Sequence, residues 1–172
     1  GFDSYIACHT TREFLLDKSY KYVMINIELD TTYHKDIENL TFDNLPKGIL
    51  HEMFKDGRVA SKFFENVFTV WYPLEVHDVK GYDHIDEDGQ KYEMKCFTRR
   101  GAKYCPSGMV GSGRHIDEEV MRENIVSNNL IYIMVDIVDF PFIRYKFING
   151  LDLLHRWPKA SIPFKDREVL FG

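Results

Sequence analysis

Two carboxylates and a lysine stand close together in the middle of the chain, at Asp83, Glu93 and Lys95. The three residues between Asp86 and Gln90 end in glycine and separate two strand-like segments, which predicts a β-hairpin. Counting outward from this turn places Asp83 opposite Glu93 on the neighbouring strand, with side chains about 5 Å apart. Lys95 follows Glu93 by two positions, so its ammonium group projects from the same face.

This set of groups suits hydrolysis of a phosphodiester. The reaction requires a hard cation at a non-bridging oxygen, a deprotonated water in line with the leaving group, and neutralisation of the developing charge. The predicted Mg²⁺ ligands are the carboxylates of Asp83 and Glu93 and the backbone carbonyl of Met94, whose side chain is expected to point into the core. Lys95 is predicted to orient the attacking water or to lower its pKa. The predicted catalytic residues are therefore Asp83, Glu93 and Lys95.

The pattern has simpler interpretations. An Asp, Glu and Lys at this spacing also occur by chance in a solvated hairpin with a cross-strand salt bridge. An EF-hand is excluded by spacing, because Gly89 at loop position 6 would put His84 at position 1 and Lys95 at position 12. Strand alternation turns the imidazole of His84 away from Asp83.

The cysteines and apolar segments indicate a cytoplasmic protein. Cys8, Cys96 and Cys105 are an odd number without the spacing of a disulfide framework, which favours reduced thiols. A zinc site from Cys96, Cys105 and His115 lacks a CxxC pair, so buried or incidental thiols are the preferred interpretation. The apolar runs fall short of the roughly 20 residues that span a bilayer, and no signal sequence is expected.

The distribution of charge indicates where nucleic acid would bind. A net charge of −5 argues against a protein that coats nucleic acid non-specifically. Residues 78–88 hold five acids, whereas residues 95–115 hold five Lys or Arg and no acid, in a loop rich in glycine. Such a loop permits close approach to a phosphate backbone or a groove, although a mobile, merely solubilising loop is the alternative. The predicted DNA contacts are Arg99, Arg100, Lys103, Arg114, His115 and Lys159.

The order of the remaining elements predicts the fold class. Helices are expected at residues 44–54, 59–68 and 116–126, and strands at residues 130–138 and 142–148. A short helix at residues 10–17 and a strand at residues 21–29 are expected nearer the beginning of the sequence. Helix, hairpin, helix, strand and strand predict an α+β fold with a mixed central β-sheet flanked by helices.

The segment Tyr82–Lys95 resembles the active-site hairpin of the PvuII-like PD-(D/E)XK type II restriction endonucleases, including its turn length and the Gly-Gln pair. Ile49–Phe68 and Ser161–Phe164 are also similar to that family, and the resemblance extends over about residues 45–172. It implies a restriction-endonuclease-like core and a homodimer that cuts double-stranded DNA at a short palindrome with Mg²⁺. It also implies a bacterial or phage origin, with Asp83 and Glu93 as metal ligands and Lys95 as the catalytic lysine. Lys80 stands where the family has an accessory acid, and Lys159 lies near its base-reading asparagine.

We therefore expect residues 1–172 to form a single nuclease domain. Residues 45–172 would carry the catalytic core and the DNA-recognition elements, and residues 1–44 have no counterpart in the family and are a candidate dimerisation segment. Two alternatives stay open. One is a structure-specific or repair nuclease with the same catalytic core, and the other is a DNA-binding module that does not cleave.

Overall fold

A computed structural model describes residues 26–79, 81–105 and 117–172 of the chain. The predicted helix at residues 10–17 and most of the predicted strand at residues 21–29 lie outside these ranges. The described part contains eight strands, five α-helices and a short 3₁₀-helix at Phe164–Asp166. In chain order the elements are β1 (Thr32–Asp36), α1 (Lys47–Phe54), α2 (Gly57–Trp71), β2 (Leu74–Val79), β3 (Tyr82–Asp86), β4 (Lys91–Phe97), β5 (Ala102–Lys103), α3 (Glu118–Ser127), β6 (Ile131–Asp136), β7 (Phe142–Asn149), α4 (Gly150–Arg156), β8 (Ser161–Ile162) and α5 (Arg167–Phe171).

Six strands form the central sheet, in the order β1-β7-β6-β4-β3-β2. Strands β4 and β6 are parallel, and the other neighbours in this sheet are antiparallel. Strands β5 and β8 form a separate two-stranded sheet. The sheet with its helices confirms the predicted α+β class with a mixed central sheet.

The sheet separates two apolar clusters. On one face, Phe64 and Phe68 of α2 pack with Ile133 and Phe147 of the sheet. On the other face, the apolar side chains of α3, α4 and α5 pack against the sheet around Tyr132. Strand β6 is buried along its whole length, as expected for a continuous apolar run at the centre of a covered sheet. No helix in the described part of the chain is long and apolar enough to cross a bilayer.

The turn between β3 and β4 has the predicted register. The Asp86 N–H donates to the Gln90 carbonyl at 3.0 Å. Asp86 Oδ1 accepts from the N–H groups of Asp88 and Gln90, at 3.0 and 2.9 Å. Gly89 has φ +82°, a conformation that glycine adopts without steric cost. The local sequence therefore fixes the offset between the two strands that carry the carboxylates.

At the edge of the sheet, one predicted strand differs from the structure and one observed strand was not predicted. Within the predicted strand at residues 21–29, the described residues 26–29 form no strand, and Leu29 makes only an isolated bridge to Phe147. The edge strand is β1, where Tyr33 stacks on Tyr145 with ring centroids 5.2 Å apart. Aromatic packing against a distant strand stabilises this polar segment, which its own alternation does not predict.

Candidate active site

The hairpin of β3 and β4 holds the predicted carboxylates. The strands pair at His84 with Tyr92, so the next position in register sets Asp83 against Glu93. Paired positions on neighbouring strands project from the same face of a sheet. The two carboxylates therefore belong to one face, on adjacent strands near the middle of the sheet.

Strands β3 and β4 stop pairing through their backbones beside these carboxylates. The last pair of the ladder is His84 with Tyr92. Two residues further on, the Met94 N–H donates to Asp83 Oδ2 at 2.9 Å rather than to the backbone of β3. The N–H and carbonyl of a strand residue lie on the same edge of the strand, so the Met94 carbonyl faces the same gap. The Met94 side chain is buried in the core as predicted, at 3% exposure.

Glu93 and Lys95 form a buried ion pair. Lys95 Nζ lies 2.5 Å from Glu93 Oε1, and the two side chains are 17% and 0% exposed. A buried carboxylate is costly to ionise unless a cation lies close by. The ammonium group of Lys95 therefore offsets the cost of burying the Glu93 carboxylate.

The groups around Asp83 have opposite effects on its pKa. Burial raises the pKa of Asp83, while the Met94 N–H and the Lys95 ammonium lower it. The carboxylate of Glu65, on α2, also raises the pKa of Asp83. The Glu65 carboxylate itself binds Lys62 Nζ at 2.8 Å. Glu65 is a neighbour that the sequence did not predict, because its approach depends on how α2 packs against the sheet.

His84 lies on the opposite face of β3, as strand alternation predicts. Its imidazole is fully buried, and Nε2 lies 2.7 Å from the backbone carbonyl oxygen of Glu65. The ring thus fastens β3 to α2. We assign it a structural role in positioning the strand that carries Asp83.

The oxygen donors at the hairpin are of the kind that Mg²⁺ takes from proteins. Within the ranges 26–79, 81–105 and 117–172, no group of three or more His, Cys, Asp or Glu side chains is arranged to hold a metal. Mg²⁺ takes only one or two carboxylates from proteins and keeps several waters, so Asp83, Glu93 and a backbone oxygen are a suitable set. The considered zinc site gains no support, because Cys96 packs with the apolar cluster on one face of the sheet and Cys105 belongs to the cluster on the other face. Its third member, His115, lies outside the described residues.

Two of the predicted DNA contacts form the tip of a tight turn after β4. The backbones of Thr98 and Gly101 exchange hydrogen bonds of 3.0 and 2.8 Å, which leaves Arg99 and Arg100 exposed between them. Gly101 has φ +80°, and a Cβ there would lie 2.1 Å from the carbonyl oxygen of Ile162. Glycine is required at this close approach. The predicted polar loop therefore begins as a hairpin that continues β4.

Two further predicted contacts belong to the same unit. Lys103 lies on β5 and pairs with Ser161 of β8, and its side chain is exposed. Lys159 is exposed two residues before that strand. Four of the six predicted DNA contacts thus lie on the turn after β4, on the β5–β8 sheet or just before it. Arg114 and His115 lie outside the described residues.

The arginine turn faces the junction between α1 and α2. Lys55 lowers the pKa of Glu52, and Arg99 makes a smaller contribution. Arg58 lowers the pKa of Asp56 to about 2, and Arg100 makes a smaller contribution. Both acids already bind a nearer cation, Lys55 at 2.6 Å and Arg58 at 2.7 Å. These contacts leave the guanidinium groups of the turn exposed to solvent.

Other arginines have a structural role. A groove of about 600 Å³ lies along β1, β7 and α5, away from the carboxylates. Arg144 bridges Asp136 and Glu168 at 2.9 and 2.8 Å, and Arg167 also binds Asp136, at 2.8 Å. Asp136 is 1% exposed. The two guanidinium groups neutralise this buried carboxylate at the end of β6, so we assign them to the stability of the fold.

Tyr132 is a neighbour of the carboxylates that the sequence did not single out. It pairs with Glu93 across the parallel strands β4 and β6, and it is fully buried. A Cβ at Gly150 would lie 3.3 Å from its ring and 2.6 Å from Ile125 Cγ2, so a glycine there makes room for the packed ring. Only the pairing of β4 with β6 brings this tyrosine to the site, and local sequence patterns do not reveal that pairing.

Comparisons with protein-family models, curated proteins and solved structures find no match to this chain. The relation to restriction endonucleases therefore stays a prediction from the hairpin sequence. The residues and geometry described above are the basis for a functional proposal.

Proposed function

We propose that this chain is a Mg²⁺-dependent endonuclease of the PD-(D/E)XK class that hydrolyses phosphodiester bonds of double-stranded DNA. The observation that carries the proposal is the juxtaposition of Asp83, Glu93 and Lys95 where β3 and β4 diverge. Two carboxylates share one face of the hairpin, and the ammonium lies 2.5 Å from the buried one.

The chain's own residues have distinct roles in this proposal. The Met94 N–H donates to Asp83 Oδ2 at 2.9 Å, so the backbone fixes the orientation of this carboxylate. The other oxygen, Oδ1, would be a ligand of the cation. Glu93 and the Met94 carbonyl complete the set of oxygens that would hold the cation. When bound, Mg²⁺ supplies a Lewis acid that neutralises charge on the scissile phosphate.

Lys95 would position the attacking water. Its side chain is 17% exposed and its ammonium group binds Glu93, so a water near this ion pair would lie beside a positive charge. A positive charge there favours the deprotonated form of that water and stabilises the charge that develops on the phosphate. Loss of the ammonium is therefore expected to affect the reaction itself more than DNA binding.

The basic unit formed by the arginine turn and the β5–β8 sheet supports DNA as the substrate. Arg99 and Arg100 lie on the turn that follows β4, Lys103 lies on β5, and Lys159 lies two residues before β8. Cations at such positions bind phosphates and give binding a strong salt dependence. The predicted contacts Arg114 and His115 remain part of the proposal.

The finer assignment follows from the resemblance in the hairpin. We propose a type II restriction endonuclease that acts as a homodimer, because a two-fold symmetric protein matches a palindromic site and cuts one strand with each active site. A cytoplasmic location and a bacterial or phage origin belong to the same proposal. A structure-specific nuclease and a non-cleaving DNA-binding module are the alternatives that the experiment must separate.

The test is incubation of the purified chain with several plasmid and phage DNAs, methylated and unmethylated, in Mg²⁺ or EDTA. Discrete fragments that require Mg²⁺ and disappear in Lys95→Ala would support a site-specific endonuclease. The matched control is Lys91→Ala, which removes a lysine from the same strand and face without touching the ion pair. Nicking or a smear would favour a structure-specific enzyme, and DNA binding without cleavage would favour the binding module.

A further inference from the structure

Tyr132 differs from the other buried tyrosines of the described chain. The hydroxyl groups of Tyr72 and Tyr145 bind each other at 2.8 Å. Tyr92 donates to Asp86 Oδ2 at 2.8 Å, and Tyr104 donates to the carbonyls of Trp157 and Leu153. The hydroxyl of Tyr132 is buried and has no hydrogen-bond partner.

Tyr132 lies beside the proposed metal-binding carboxylates. Tyr132 pairs with Glu93 across β4 and β6, and paired residues project from the same face of the sheet. Strand β4 separates it from Asp83 on β3. Its ring packs edge to face on Tyr104, with centroids 5.6 Å apart, and beside Gly150. The ring is thus fixed by packing rather than by its polar atom.

The phenol of Tyr132 can donate a hydrogen bond. A tyrosine hydroxyl is protonated at neutral pH, because its ordinary pKa is about 10. The strand pairing places this donor beside Glu93. Buried polar groups normally have partners, and one without a partner beside a candidate site indicates an acceptor that arrives with a ligand.

We propose that Tyr132 is a positioning residue, whose hydroxyl donates a hydrogen bond to a water held beside the Glu93 carboxylate when a divalent cation is bound. This inference rests on the proposed function, since it concerns the same site. Mg²⁺ keeps several of its waters when it binds to proteins, so such an acceptor accompanies the ion. The hydroxyl would thereby orient that water and the carboxylate next to it.

The test compares Tyr132→Phe with Tyr145→Phe, which makes the same change on the opposite face of the sheet. In EDTA, Tyr132→Phe should unfold at the same temperature as the parent or a higher one, because it removes a hydroxyl without a partner. Tyr145→Phe should unfold at a lower temperature, because it breaks the bond to Tyr72. In a calorimetric titration with Mg²⁺, Tyr132→Phe should bind about 10-fold more weakly than the parent, and Tyr145→Phe should bind equally well.

The outcomes separate this inference from the proposed function. If the parent binds Mg²⁺ and cleaves DNA while Tyr132→Phe matches it in both, the positioning role is overturned and the nuclease stands. If Tyr132→Phe unfolds at a clearly lower temperature in EDTA, the hydroxyl already has a partner in the protein, and the inference is wrong. A parent that neither binds Mg²⁺ nor cleaves DNA overturns the proposed function together with this role.

Discussion

Replacing Lys95 by methionine should destabilise the metal-free protein substantially. The change removes the ammonium that lies 2.5 Å from Glu93, whose side chain is 0% exposed. Removing one partner of a buried ion pair typically costs about 3–5 kcal/mol. Because Lys95 is itself 17% exposed, we expect the lower end, about 3 kcal/mol in the free energy of unfolding. For a chain of this size that corresponds to a fall of about 6–12 °C in the unfolding temperature.

The deficit should depend on divalent cations. Added Mg²⁺ should reduce it, because a bound cation restores positive charge beside the buried Glu93 carboxylate.

Urea unfolding followed by tryptophan fluorescence, in EDTA and in Mg²⁺, measures these effects. The control is Lys91→Met, which loses a hydrogen bond of 2.8 Å to Asn128 and a contact of 5.1 Å to the ring of Tyr82. We expect that control to lose only about 1 kcal/mol. If Lys95→Met unfolds within about 0.5 kcal/mol of the parent at neutral pH in EDTA, the buried ion pair is not as described.

Three further changes test other parts of the structure. Asp83→Asn should raise the unfolding temperature at neutral pH in EDTA, because burial raises the pKa of Asp83 and the charged carboxylate opposes folding. A rise in unfolding temperature that persists unchanged below pH about 4 would contradict this cause. Gly101→Ala should lower the free energy of unfolding by about 1–3 kcal/mol, because the new Cβ would meet the Ile162 carbonyl oxygen at 2.1 Å. The same change should weaken DNA binding in an electrophoretic shift. Unchanged stability would refute the close approach. Asp56→Asn should be less stable than the parent at pH 5, because Arg58 lowers the pKa of Asp56 to about 2. Thermal melts should show that the difference in stability disappears between pH about 4 and 2. A difference that persists at pH 2 would point to another cause.

The hairpin that carries the candidate site could be predicted because its information is local. The three residues after Asp86, ending in Gly89, determine the turn, and the turn determines the register. Alternation along β4 then places Glu93 and Lys95 on one face and Met94 on the other. The side-chain contact of Asp83 with the Met94 N–H was not predictable, because it arises where the two strands diverge.

The rest of the site depends on contacts that are distant in sequence. Tyr132 reaches Glu93 only through the parallel pairing of β4 with β6. Glu65 approaches Asp83 only through the packing of α2, and its place in the helix does not reveal that neighbour. Long-range pairing of this kind is set by the whole core rather than by local propensity.

The missed elements have a similar explanation. Strands β5 and β8 contain two residues each, too few to show a period. Helix α4 begins at Gly150, where Asn149 supplies the capping oxygen to the Leu151 N–H at 2.9 Å. That cap is a local signal, although the adjoining apolar strand β7 obscured it. Strand β1 has no alternating pattern and depends on the aromatic contacts of Tyr33.

Mg²⁺-dependent cleavage of DNA by the parent, beside Lys95→Ala and Lys91→Ala, tests the central claim most directly. Each variant must first be shown to be folded at the assay temperature, because loss of Lys95 also weakens the structure. The account predicts discrete double-strand breaks with the parent and with Lys91→Ala, none in EDTA, and a loss of at least about 100-fold in rate with folded Lys95→Ala. Cleavage by folded Lys95→Ala at the parent's rate, or no cleavage of any DNA by the parent in Mg²⁺, would contradict it.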